Sequence, residues 1–96
     1  MKTSYTLQFL EETTETMRAI AHPIRIAIIE LLYRNGKMSV TEIYEHLDIE
    51  QAVASHHLRI LKSRDVVSVQ RDQKFSLYSL ANPGFFEIIQ ILGKMG

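Results

Sequence analysis

Residues 47 to 62, Leu47-Asp48-Ile49-Glu50-Gln51-Ala52-Val53-Ala54-Ser55-His56-His57-Leu58-Arg59-Ile60-Leu61-Lys62, read as a helix with two unlike faces. Ala54, Leu58 and Leu61 recur at i, i+4 and i+7 and make a stripe for a core, while Gln51, Ser55, Arg59 and Lys62 recur at i, i+4, i+8 and i+11 on another side. The polar side has an order. It begins with a bidentate amide, continues through Ala52 and Ser55, which allow close approach, adds His56, and ends in the cations Arg59 and Lys62. A helix whose first turns meet base edges and whose end meets phosphate needs that order. A solvated amphipathic helix shows similar stripes, so the flanking segments must decide between the two.

Those segments have a consistent grammar. A first helix is expected over about Thr6 to Ala21, with Leu7, Leu10, Met17 and Ile20 on its apolar side and Glu11, Glu12 and Glu15 on its wet one. Pro23 suits the first turn of a second helix, where its missing N–H costs nothing, and Asn35-Gly36 ends it. Two apolar stripes run along that helix, Ile24, Ala27, Ile28 and Leu31 on one side and Ile26, Ile29 and Tyr33 on another. A helix apolar on two sides must be covered twice and is therefore central. Ser39-Val40-Thr41-Glu42 has the form of a capping box and starts a short third helix from Val40 to about His46, with Ile43 and Leu47 inward. Asp48 to Gln51 turn into the helix described first, and helix, tight turn, helix is a DNA-binding unit. Val66 to Arg71 and Phe75 to Leu80 then alternate as two strands joined by Asp72-Gln73-Lys74, a hairpin with a charged tip.

The net charge of zero argues against a DNA binder until it is divided along the chain. Residues 1 to 50 hold five Lys/Arg against eight Asp/Glu, whereas residues 51 to 75 hold five, Arg59, Lys62, Arg64, Arg71 and Lys74, against Asp65 and Asp72. The excess of three positive charges thus sits on the segment that carries the polar helix and the hairpin tip, which predicts local attraction to phosphate and weak non-specific affinity. The chain of 96 residues is expected to form one domain, residues 1 to 96, with a single core. An apolar fraction of 46%, a charged fraction of 23%, no run of 18 apolar residues and no cleavable signal pattern predict a cytoplasmic protein with no membrane contact. The absence of cysteine removes disulfides and thiolate metal sites together.

His22-Pro23-Ile24-Arg25 at the start of the second helix, Gln51 through Leu58 with its Ser55-His56-His57-Leu58 core, and the hairpin Val66 to Leu80 with Tyr78 resemble the ArsR/SmtB family of winged-helix bacterial repressors. The likeness runs from about Thr16 to Leu80 and keeps the family's order of elements. It implies a mainly α fold with a β-hairpin wing, a winged helix-turn-helix that forms a homodimer, represses transcription and leaves DNA when an effector binds. Three positions depart from the family pattern. Asp65 stands where glycine usually ends the reading helix, the wing tip Asp72-Gln73-Lys74 lacks glycine, and Glu50 replaces a common serine. Metal sensors of the family use a cysteine pair in the third helix. The aligned residues here are Ser39 and Thr41, and residues 82 to 96 offer only Glu87 where a second family site needs Asp, His and Glu. No metal or other cofactor is therefore expected, and the effector stays open among a small apolar ligand between the first and last helices, a protein antagonist, or none. His22 reads as a helix-start residue, His57 as half-buried packing and His46 as a surface residue.

No phosphate loop, nucleophile elbow or paired carboxylates appear, and Ser55-His56 lacks a third orienting group, so an enzyme is not expected. The competing reading is a winged-helix protein-interaction module, since fold alone does not set function. Gln51, Ala52 and Ser55 form a face without bulky hydrophobes and suit a groove better than a protein hot spot. The reading adopted is a homodimer on a pseudo-palindromic duplex. Gln51, Ala52, Ser55 and His56 read bases, and Arg59, Lys62, Arg71 and Lys74 meet phosphate or the minor groove. After Asn82-Pro83-Gly84 the last helix is apolar around most of its circumference, so Phe85, Phe86, Ile89 and Leu92, with Leu7 and Leu10 of the first helix, are the expected dimer seam.

Overall fold

The first three helices begin where the chain supplies a side-chain partner for the first free N–H groups. In the computed structural model, which describes all 96 residues, the elements follow as α1 (Leu7–Ile20), α2 (Pro23–Asn35), β1 (Met38–Ser39), α3 (Val40–Leu47), α4 (Gln51–Ser63), β2 (Val67–Asp72), β3 (Phe75–Leu80) and α5 (Gly84–Met95). The Thr6 hydroxyl accepts from Phe9 N–H at 3.1 Å, and His22 Nδ1 accepts from Ile24 N–H at 3.0 Å with Pro23 in the first turn. Ser39 and Glu42 close the expected capping box at 3.2 and 3.0 Å. Gly36 ends α2 at φ 76°, a left-handed position that glycine takes without steric penalty.

The polar helix is shorter than the run that announced it. Leu47 belongs to α3, Asp48 takes φ 53° as that helix's left-handed cap, and α4 starts at Gln51 behind Glu50, whose side chain makes no capping bond. Asp65 takes the left-handed φ of 57° that its place after the helix demands, and Val66 N–H returns to the Leu61 carbonyl at 3.0 Å. Asp tolerates this conformation better than most residues because its short side chain bonds locally.

The sheet is antiparallel in the order β1-β3-β2. β1, two residues long, pairs Met38 with Tyr78 and Ser39 with Leu77, and was not foreseen because two residues carry no alternation. Asp72 pairs with Phe75, so the wing tip is Gln73-Lys74 rather than three residues, with Gln73 at φ 54°.

α2 lies against α1, α3, α4, α5 and β3, as a helix apolar on two sides must. Ile28, Ile29 and Leu32 meet Met38, Ile43, Leu58, Leu61, Val66, Val67 and Phe86 in one core. The second stripe is only partly covered, with Ile29 buried but Ile26 and Tyr33 37% and 46% exposed. α1 is peripheral, burying only Ala19, and Met17, expected inward, is exposed.

Phe86 corrects the expected dimer seam. It is buried within its own protomer, its ring stacked on Tyr33 at 4.2 Å and covered by the Arg34 guanidinium at 5.6 Å, so it serves the core. Phe85 and Ile89 are half-buried beside it, while Ile88, Ile91 and Leu92 stay exposed. Phe86→Ala is expected to lower unfolding free energy by about 3 to 5 kcal/mol, measured by urea titration, because a large cavity opens in the core. A loss under about 1 kcal/mol would remove Phe86 from the core.

Candidate nucleic-acid interface

α3 and α4 are joined by three residues, Asp48 to Glu50. The Asp48 and Ile49 N–H groups both return to α3, the latter to the Tyr44 carbonyl at 3.1 Å, which pins the start of α4 against the end of α3. Ala54, His57, Leu58 and Leu61 then sink into the protomer and fix which side of α4 faces out. Gln51, Ala52, His56, Arg59 and Lys62 are exposed, and Ser55 is half-buried between them. The structure thus brings the six α4 positions onto one outward face, as the spacing predicted.

The hydrogen-bond pattern sorts the cations into two groups. Arg18 pairs with Glu15 at 2.8 Å, Arg34 with Glu30 at 3.5 Å, and Lys37 bonds Gln70 at 2.7 Å. Arg25 bonds His57 at 3.1 Å, and Arg64 donates to the Glu12 carbonyl at 3.0 Å and to the Thr16 hydroxyl at 3.3 Å. Arg59 and Lys62 on α4 and Arg71 and Lys74 at the wing tip remain exposed, outside both ion pairs. The four residues singled out for phosphate are therefore available to an outside anion, while Arg18, Arg25, Arg34, Lys37 and Arg64 are occupied within the protomer. Arg71 lies on β2, which packs against α4, so the wing is anchored on that helix.

Three residues of this region, His57, Arg25 and Arg64, were not given their place by sequence reasoning. His57 is 7% exposed rather than half-buried, and with His22 and Arg25 it forms a polar cluster beneath α4. Arg64, counted only as part of the basic excess, ties the end of α4 to the backbone of α1. A signal existed for the first. Arg25 sits on a helix that must be covered twice, and a guanidinium so placed needs a polar partner from a neighbouring element. Burial and three cationic or ionisable neighbours, His22, Arg25 and His56, hold the His57 imidazole below the usual histidine range. No group of three or more His, Asp or Glu side chains is arranged to hold a metal ion.

Three helices around α2, a tight turn into an outward-facing fourth, and an antiparallel hairpin beyond it define a winged helix-turn-helix. Residues 22–69 match the sequence profile of the bacterial regulatory protein arsR family. The chain belongs to that family, which consists of transcriptional regulators and not enzymes. It is 32% identical over 85 residues to an uncharacterized HTH-type transcriptional regulator of Methanocaldococcus jannaschii, covering 88% of this chain and 96% of that one. The structure of the transcriptional repressor PagR of Bacillus anthracis superimposes with a TM-score of 0.81 at 31% identity, covering 91% of this chain and 99% of that one. The homodimeric winged helix-turn-helix DNA-binding domain Mb0332 of Mycobacterium bovis superimposes with a TM-score of 0.84 at 23% identity, over 98% and 89% of the two chains.

Proposed function

We propose that this regulator acts as a cytoplasmic, homodimeric repressor, residues 1 to 96 forming one DNA-binding domain that reads a pseudo-palindromic operator. The observation that carries the reading is the α4 face, on which an exposed amide, a small residue, a hydroxyl and an imidazole precede two free cations. Gln51, Ala52, Ser55 and His56 occupy the first turns, where a reading helix meets base edges. Arg59, Lys62, Arg71 and Lys74 supply phosphate contacts, or in the case of Arg71 a minor-groove contact. PagR is a repressor and shares the fold at 31% identity, which favours repression over activation here.

The dimer reading rests on α1 and α5. Leu7, Phe9 and Met17 on α1 are 67%, 46% and 65% exposed, and Ile88, Ile91 and Leu92 on α5 are 51%, 57% and 64% exposed. Between the two helices lies an open apolar groove of about 660 Å³, with Met17, Ile20, Ile26, Phe85, Ile88 and Leu92 among its walls. A second copy covers this face, and Leu7, Leu10, Phe85, Ile89 and Leu92 belong to the seam while Phe86 does not. The two reading helices then enter successive major grooves roughly 34 to 36 Å apart. No helix is long and apolar enough to cross a membrane.

Selection of the dimer on a random duplex pool, followed by fluorescence anisotropy on the enriched sequence, tests the proposal. An enriched palindrome bound far more tightly than random duplex is the expected result, and no enrichment overturns it. On that operator, Gln51→Ala is expected to cost about 1 to 3 kcal/mol and to relax preference at one base position per half-site, since the amide pairs with N6 and N7 of adenine. Equal losses on operator and random duplex would remove Gln51 from base reading.

A further inference from the structure

Beneath the reading face lies a polar cluster that base contact does not use, with His57 buried and His22 and Arg25 half-buried. His57 Nδ1 is 3.1 Å from Arg25 Nη1. A guanidinium has no acceptor, so Arg25 donates, Nδ1 is bare, and the proton of the neutral ring sits on Nε2. The other arm of Arg25, Nη2, donates to the Arg18 carbonyl at 3.3 Å, in the last turn of α1 where the helix presents its negative pole. One guanidinium thus joins α1, α2 and α4. His22 lies over His57 with ring centroids 4.3 Å apart, and its own Nδ1 is engaged as the cap of α2.

We propose that Arg25 and His57 are positioning residues that hold the reading helix against α1 and α2, and that protonation of His57 opens this bridge and weakens operator binding in acid. The operator half of the proposal rests on the DNA reading above. A proton on Nδ1 would set an N–H against an N–H of Arg25, and nothing nearby compensates the charge. Facing His57 are His22 and Arg25 from α2 and its cap, and His56 from α4 itself. From α1, the Arg18 guanidinium is turned to Glu15. α3 and β2 also pack on α4, but no carboxylate from either forms an ion pair with the cluster, the two pairs present being Arg18–Glu15 and Arg34–Glu30.

Burial first and these neighbours second depress the folded-state value below the ordinary 6.5. Such a group favours the folded, bridged state fully above the ordinary value, and that contribution is lost as pH falls through the lowered one.

The test measures anisotropy of the selected duplex from pH 7.5 to pH 5.0 at constant ionic strength, with imidazole nitrogen NMR spectra of the free dimer over the same range. Wild-type affinity is expected to fall by up to about a hundredfold per pH unit once His57 protonates, the change that two protons per dimer, one in each protomer, produce. His57 is expected to stay in the Nε2–H form after exposed imidazoles have protonated. His57→Asn places an amide oxygen near the former Nδ1 and gains no proton, so its pH profile should lose the acid fall whatever its affinity at neutral pH. Arg25→Lys should recover part of the operator affinity that Arg25→Ala loses. A His57 ring that titrates like an exposed one, a wild-type affinity flat or rising toward pH 5.0, or a His57→Asn profile matching wild type overturns the proposal. Should these variants unfold, the two wild-type measurements decide alone. Failure to bind any duplex at any pH overturns the DNA reading and the operator half with it, while the His57 spectra, which need no DNA, still judge the bridge.

Discussion

Ile88→Asp combined with Leu92→Asp is expected to turn the dimer into a folded monomer that no longer holds its operator. Both side chains are more than half exposed in the protomer, at 51% and 64%, so the substitutions leave the protomer core intact. In a dimer they lie on the α1/α5 face, where two carboxylates per copy would be buried without partners, a loss too large for a typical seam to absorb. Sedimentation should report the protomer mass of 11.1 kDa, with the helical circular dichroism of the parent retained. Operator affinity should fall by about two to four powers of ten, because each reading helix then binds without the effective concentration its twin supplies. A dimer unchanged in sedimentation places the seam elsewhere. The contrast with Phe86 is informative. Phe86→Asp puts its charge inside the protomer and should unfold it, so the two sites separate assembly from folding although they share one helix.

That contrast also shows what the sequence made legible. The helix ends were readable because their chemistry is local. Thr6, Pro23, Gly36 and the Ser39–Glu42 box each act on N–H or carbonyl groups within four residues, and the bounds of α1, α2 and α3 fall within a residue of their expected places. The outward face of α4 was readable because its inward face is apolar, and the spacing of Ala54, Leu58 and Leu61 sets one by setting the other. Partners distant in sequence were not readable. His57 meets Arg25 across 32 residues and Arg64 meets Glu12 across 52, and no periodicity encodes which half-buried guanidinium finds which acceptor. The apolar circumference of α5 was visible, but its division between core and seam was not, since Phe85, Phe86, Ile88 and Ile89 are equally hydrophobic and only the placement of Tyr33 and Arg34 assigns Phe86 inward.

The wing is expected to act through charge and not through base recognition, and the dependence on salt separates the two. Lys74 stands in the two-residue tip of the hairpin and Arg71 two residues before that tip, both exposed and outside the protomer's ion pairs, and on the proposed reading they meet the DNA backbone beside the half-site. Each cation that meets a phosphate releases condensed counterions, which contributes about 0.9 to the slope of log affinity against log salt. Arg71→Ala with Lys74→Ala removes four such contacts from a dimer, so the slope should flatten by up to about 3.6. Affinity should fall on operator and random duplex together, most at low salt, because phosphates carry no sequence information. Gln51→Ala, by contrast, should lower operator affinity while leaving the slope nearly unchanged, since its amide releases no ion. An Arg71 that enters the minor groove adds a third signature, a weakened preference for A·T pairs beside each half-site when it is removed. Anisotropy titrations of the three proteins between 50 and 200 mM salt distinguish these outcomes. A wing double mutant that keeps the wild-type slope would mean that the hairpin does not touch DNA, and the free cations at its tip would then point to a protein partner instead.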